Sequence, residues 1–337
     1  MEKFSAAERT SVSDPATTWD GIIADAPDAW LWHSRRMLEF TICAAESLHP
    51  VDRSFFVTEG KNIVGVVPLV VHDSVGERAP AREAGYHPGI RFLPWPAMKG
   101  APSEAFEDFA FSELEQRARQ TGASHITVQL IPPHDRGDEE ARVMRVVEKF
   151  GYVRRHFESH VIFLEPDTLS QVRERYRRYH KKFAPLFNVS IVEKAAVTLE
   201  LEETYAELHV KDIGRKVRSR ESYTKQTDIA RGGEGFYVVV QEKDQGRIVG
   251  MLLVSLYKNA AYDNSVAVDP DFADQYISHL MKWSAIEELL RRGTPTYELG
   301  PKAQADASEK ERGISHFKEG WSRGKTRVIW EIEKELA

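Results

Sequence analysis

The sequence predicts a chain of the α/β class (α+β in detail), with two tandem domains, each a mixed central sheet flanked by helices. One observation is a hairpin pattern that occurs twice, FFVTEGKNIVGVVPLVV at Phe55–Val71 and FYVVVQEKDQGRIVGMLLVSLY at Phe236–Tyr257. Each copy has a β-rich run, a charged turn, an Ile-Val-Gly step and a second β-rich run. Ile63-Val64-Gly65 aligns with Ile248-Val249-Gly250, and the second copy has the longer turn. The other observation is the flanking pattern: in both halves a helix after the hairpin stops at a glycine and leads into a strand.

Residues 1–16, MEKFSAAERTSVSDPA, lack an apolar core and are expected to form a flexible leader. The first domain is placed at 17–155. Its expected elements are a helix near Ala29–Ser47, the first hairpin, a helix over Glu104–Gln120 stopping at Gly122, and the strand His125–Ile131. A further helix, Glu139–Phe150, stops at Gly151. The second domain is placed at 156–337. It opens on the strand HVIFL and the basic helix RERYRRYHKKFA, with a helical region near Leu199–Ala230 before the second hairpin. A strand over Ala260–Val268 follows. Ile277, Leu280, Met281, Ile286, Leu289 and Leu290 then mark the apolar face of a helix near Gln275–Arg292, which stops at Gly293 before the strand Thr296–Leu299.

Composition narrows the function. A chain of 337 residues, 42% hydrophobic and 29% charged, fits two soluble domains. No apolar run is long enough for a membrane span. A single cysteine, Cys43, allows no intrachain disulfide and fits a reducing, cytoplasmic setting; its apolar neighbours Phe40 and Ile42 suit a core position. The net charge of −6 argues against a general nucleic-acid coat. Two segments depart from that average. Six of the ten residues of Arg173–Lys182 are basic, and Lys211–Arg231 has a local basic surplus. Arg178 and Lys182 in the first, and Lys216, Arg218 and Arg220 in the second, are candidate phosphate-binding residues. They read equally as solvated helix faces.

Several motifs are excluded. GWSRGKT at Gly320–Thr326 is too short between its glycines for a phosphate-binding P-loop, and too little chain follows it. RGGEGF at Arg231–Phe236 precedes a strand instead of following one. The twelve histidines show no metal-ligand spacing, so no metal is expected.

The segment YELGPKAQADASEKERGISHFKEGWSRG, Tyr297–Gly324, is the most informative. It sets Phe317 beside Lys318, after His316. A fixed cation beside a developing oxyanion stabilises the tetrahedral intermediate of acyl transfer. Phe317 is the candidate to stack on a base or sugar of the donor, and Tyr297 and His316 join it as donor-site candidates. Core packing for Phe317 and a surface charge for Lys318 are the alternatives. Tyr262, Asp263 and Asn264, in the strand after the hairpin, are candidates to orient an amine or relay its proton, with Asp263 as catalytic partner to Lys318. Turn or structural roles compete with this.

The order of hairpin, strand, glycine-stopped helix and strand is that of the GNAT acyltransferase fold, so the chain resembles a tandem GNAT protein. In an ordinary GNAT enzyme a glycine-rich loop opens the helix and holds the pyrophosphate of acetyl-CoA. The equivalent stretch here, DPDFADQYISHL at Asp269–Leu280, has no glycine, and WPAMKGAPSEAF in the first half is also a poor match. CoA held in the usual way is therefore disfavoured. HVIFLEPD with the basic helix, IVGMLLVSLY, YELG and GISHFKEGW together resemble the FemABX-type transferases and their FemAB-like relatives. That resemblance implies transfer of an amino acid from aminoacyl-tRNA to an amine, with no cofactor, and gives Phe317 and Lys318 the donor-facing and intermediate-stabilising roles. One departure is Trp95, in FLPWPAMKGAP at Phe92–Pro102, where the cell-wall members carry an arginine; a peptidoglycan acceptor is less well matched than another amine. The expected partners are tRNA as donor carrier and an amine-bearing small molecule or peptide as acceptor. A CoA- or carrier-protein-dependent N-acyltransferase and a non-catalytic tandem GNAT binding module are the other readings.

Overall fold

The computed structural model describes residues 3–72, 93–131 and 137–336. The chain divides into two compact units, Met1–His156 with Ile329–Ala337, and Phe157–Val328.

The first unit contains β1 (Phe4–Glu8), α1 (Pro15–Asp25), α2 (Arg35–Ala44), β2 (Val51–Asp52), β3 (Phe55–Glu59), β4 (Asn62–Val67), β5 (Val70–Val71), β6 (Leu93–Pro94), β7 (Ala97–Met98), α3 (Glu104–Gln120), β8 (His125–Leu130) and α4 (Glu139–Phe150). Strand order β1-β3-β4-β7 forms one antiparallel sheet. Phe4–Glu8, expected in a flexible leader, is thus a paired strand. Phe4 is buried and meets Phe106 edge-on at 6.1 Å, which fixes the segment. Phe92 lies outside the described residues. Trp95, at the position noted for an arginine, is buried, and its indole N–H donates to Glu107 Oε1 at 2.8 Å.

β9 (Val153–Phe163) follows, and the second unit continues with α5 (Thr168–Gln171), α6 (Glu174–Phe183), β10 (Phe187–Val192), α7 (Leu199–Ile213), α8 (Arg220–Arg231), β11 (Gly235–Glu242), β12 (Ile248–Tyr257), β13 (Ala260–Val268), α9 (Ile277–Arg291), β14 (Thr296–Pro301), α10 (Glu309–Ser322) and β15 (Thr326–Glu335). The helical region near Leu199–Ala230 is two helices, because Gly214 takes a left-handed conformation that stops α7. The last nine residues, expected in the second domain, belong to the first unit: Trp330–Glu335 of β15 pairs antiparallel with His125–Leu130 of β8. The second unit has a mixed sheet of order β10-β11-β12-β13-β14-β9, in which only β13 and β14 run parallel.

The repeated Ile-Val-Gly step has one structural cause. In β3–β4, Val57 pairs with Gly65 and Thr58 with Ile63, so Val64 is a bulge. In β11–β12, Val240 pairs with Gly250 and Gln241 with Ile248, so Val249 is a bulge. Each glycine also faces the helix that follows its hairpin. A Cβ on Gly65 would fall 2.3 Å from Phe106 of α3, and one on Gly250 would fall 2.3 Å from Ile277 of α9. The sequence repeat therefore marks a bulge and a close helix–sheet contact, built twice.

Candidate active site

The site lies in the second unit, where β13 and β14 part. They pair only through Ala260–Tyr262 and Thr296–Glu298. At that level β13 bulges: Leu253 pairs with Ser265 and Val254 with Asp263, leaving Asn264 as the extra residue. The register of β14 against β9 also shifts, between Glu298 and Gly300. Paired irregularities of this kind re-aim side chains.

Helix α10 delivers Lys318. A capping box starts it: Ser308 Oγ accepts from the Glu311 N–H at 3.2 Å, and Glu311 accepts from the Ser308 N–H at 2.7 Å. Gly300 lets the lysine in. Its φ of +91° is a conformation that side chains rarely adopt, and an added Cβ would sit 3.1 Å from Lys318 Nζ and 3.3 Å from Tyr262 Oη. The ammonium and the phenol thus converge over the Gly300 backbone. Among the described residues the Lys318 ammonium makes no hydrogen bond and no ion pair. Burial pushes it down to about 8; Asp263 and Glu298 oppose that shift and Lys282 adds to it.

Beside it is a buried polar triad. Lys282 Nζ lies 2.5 Å from Asp263 Oδ2 and donates to Tyr297 Oη at 3.0 Å. The Tyr297 hydroxyl donates to Asp263 Oδ1 at 2.9 Å. Burial lowers the Lys282 pKa and Asp263 holds it up, while burial and Asp263 keep the Tyr297 phenol protonated. Both carboxylate oxygens of Asp263 are therefore engaged, so it acts as a fixed anion in the site.

Behind Lys318, His160 Nε2 lies 3.0 Å from Ser315 Oγ and Nδ1 lies 3.3 Å from Ser322 Oγ. Ser315 Oγ already accepts from the Ala303 N–H at 3.1 Å. Burial, with Lys318 acting in the same sense, brings His160 down to about 4. A neutral imidazole thus ties β9 to α10. Glu298 accepts from Ser159 Oγ at 2.6 Å and pairs with Arg327.

The structure brings together Lys318, Asp263, Tyr297 and Tyr262 from the residues singled out in the sequence. Asn264 adjoins them, its amide donating to Ser255 Oγ at 2.7 Å. Phe317 is partly buried in an aromatic group, 4.9 Å from the His279 ring and 6.0 Å from that of Tyr176. His316 is directed elsewhere: it is exposed and meets Arg173 at 2.8 Å and Glu319 at 3.2 Å. Arg178 and Lys182 are exposed on α6, the first 3.8 Å from Glu174 and the second over the Phe183 ring. Lys216 is exposed in the α7–α8 connection, and exposed Arg220 pairs with Glu203 at 2.5 Å. Arg218 corrects the expectation of a surface phosphate ligand. It is buried, donates to Gln226 Oε1 at 2.5 Å, and sits among Tyr205, Tyr223 and Tyr237, where burial lowers its pKa.

Lys282, His160 and Glu298 were not singled out in the sequence. A signal existed for Lys282: it is a lone charge among the apolar residues Leu280, Met281 and Trp283. Among the described residues no group of three His, Cys, Asp or Glu is placed to hold a metal, and no helix is long and apolar enough to cross a membrane.

Residues 167–319 match the acetyltransferase (GNAT) domain family. A search of curated proteins by sequence finds no match. Among solved structures, FemX is similar in fold, with a TM-score of 0.69 at 12% identity, covering 98% of this chain and 97% of that one. L-PGS from Bacillus licheniformis follows at 0.58 and 13%, covering 93% and 94%. A tandem GNAT protein from the clavulanic acid biosynthesis pathway gives 0.53 and 13%, covering 98% of both chains. The protein has the GNAT acyltransferase fold, and the findings support a transferase.

Proposed function

We propose that the protein is an aminoacyltransferase that moves an amino acid from aminoacyl-tRNA to an amine on a small molecule or peptide. The observation that carries this is the Lys318 ammonium, unpaired among the described residues, beside the opening between β13 and β14. The acceptor amine attacks the ester carbonyl, whose oxygen becomes an oxyanion. Lys318 faces that oxygen as a cation, a contribution that for one donor is typically about 3–4 kcal/mol. The ester bond breaks, the amide bond forms and the 3′ hydroxyl of the tRNA leaves. The amine proton ends on that hydroxyl or in solvent. The triad of Asp263, Lys282 and Tyr297 sets the field in which Lys318 works.

The resemblance to FemABX-type transferases, and the similarity of fold to FemX, support a tRNA donor. So does the entrance to α9. Tyr276, in a left-handed conformation at φ 56°, caps this helix, and its ring stacks on Tyr179 of α6 at 3.7 Å. The residue that caps α9 is thus a tyrosine turned onto α6, and Asp269–Leu280 has no glycine to build the loop that would present N–H groups to a pyrophosphate. The match to an acetyltransferase domain favours the second reading, an N-acyltransferase using CoA or a carrier protein. Turnover of labelled aminoacyl-tRNA with a panel of amines, with and without ribonuclease, separates them. Loss of transfer on ribonuclease treatment is expected; transfer that survives intact excludes the tRNA donor.

A further inference from the structure

Helices α6 and α9 face each other through rings. Tyr276, His279 and Trp283 are spaced along one side of α9, and Tyr176, Tyr179 and His180 along one side of α6. Tyr179 stacks on Tyr276 with the planes 14° apart, and His180 stacks on Trp283 at 4.2 Å and 13°. Tyr179 and Tyr276 both meet His279 edge-on, at 5.2 and 5.3 Å, and His279 meets Phe317 at 4.9 Å. The rings therefore lead to the neighbour of Lys318.

This ring system is only half closed. Tyr179, His180, Tyr276, Trp283 and Phe317 keep part of their surface open, and Arg175, Arg178, Lys181 and Lys182 beside them are exposed. The nearby acids are partly occupied: Glu287 accepts from the Trp283 indole N–H at 2.8 Å, and Glu174 lies 3.8 Å from Arg178. One face of each stacked ring is occupied by its partner, but helix packing alone needs neither partly exposed rings nor four exposed cations. Single-stranded nucleic acid uses both, with bases on the rings and phosphates on the cations.

We infer that the ridge of Tyr179, Tyr276, His180 and Trp283, with the cations of α6, binds the single-stranded 3′ end of an RNA donor and leads its terminal nucleotide to Phe317. The inference rests on the tRNA-donor reading and adds the surface that reads it. An adenosine-bearing polyanion is also found in CoA, so the test includes both.

The test is fluorescence anisotropy of a labelled hairpin RNA with a single-stranded CCA end, titrated with the full chain at two salt concentrations, with CoA as competitor. Wild type should bind, more weakly at higher salt. Trp283→Ala and Tyr179→Ala should each raise Kd about fivefold or more. Lys181→Glu with Lys182→Glu, which leaves the rings in place, should weaken binding and flatten the salt dependence. Lys243→Ala, in the β11–β12 turn, should change nothing, and melting curves should show every variant folded. If wild type binds the RNA and the ridge variants bind it equally well, the ridge is helix packing only and the inference falls while the tRNA reading stands. If the RNA does not bind, or CoA displaces it, both fall.

Discussion

Lys282 Nζ lies 2.5 Å from Asp263 Oδ2, although α9 and β13 bring these residues together from opposite ends of a helix–strand connection. The lysine is almost fully buried, with 3% of its side chain exposed, so the pair is closely balanced. Its attraction offsets a desolvation cost of several kcal/mol per ion. Asp263→Asn should destabilise the protein by about 3–5 kcal/mol, because it leaves the Lys282 ammonium without its anion. Asp263→Asn combined with Lys282→Met should recover most of that loss. Urea denaturation of the two single variants and the double variant measures the coupling, and additive losses would show that the pair is not a unit.

Lys318 should cost stability. Its pKa in the folded protein is about 8, against 10.5 for a free lysine. Between those values the unfolded chain binds more protons, so stability rises with pH through that window, and below about pH 8 the whole cost is present. Lys318→Met should therefore stabilise the protein at pH 7, by at most roughly 3 kcal/mol. The gain should shrink as pH is raised from 8 towards 10.5. Denaturation midpoints of both proteins across that range test this, and a gain that does not vary with pH would show that the lysine is solvated.

Gly300 should tolerate no side chain. Gly300→Ala forces a Cβ into a φ of +91° and within 3.1 Å of Lys318 Nζ. Backbone strain of this kind costs on the order of 1–3 kcal/mol. The variant should lose most of its turnover while keeping a cooperative melting transition. Normal turnover would mean that the ammonium can work from another position.

Much of the fold can be read from the chain because the signals are local. The helices Glu104–Gln120 and Glu139–Phe150 and the strand Ala260–Val268 stand where periodicity and glycine stops place them. The Ile-Val-Gly repeat marks equivalent bulges. The site is less legible because its contacts are distant in sequence. Asp263 meets Tyr297 across two parallel strands, and Lys282 reaches both from a helix whose pattern calls only for apolar residues. Charge alone misplaces Arg218, since nothing local distinguishes a buried guanidinium among tyrosines from its exposed neighbours Lys216 and Arg220. Composition likewise misses β1, which depends on Phe4 finding Phe106 far along the chain.

The central claim is that the Lys318 cation stabilises the oxyanion of acyl transfer. The most direct measurement is the single-turnover rate of Lys318→Ala with saturating aminoacyl-tRNA and an accepted amine, alongside its melting curve. The expected result is a rate about 10²–10³-fold below wild type with the fold retained. A folded Lys318→Ala protein that transfers at the wild-type rate would contradict the account.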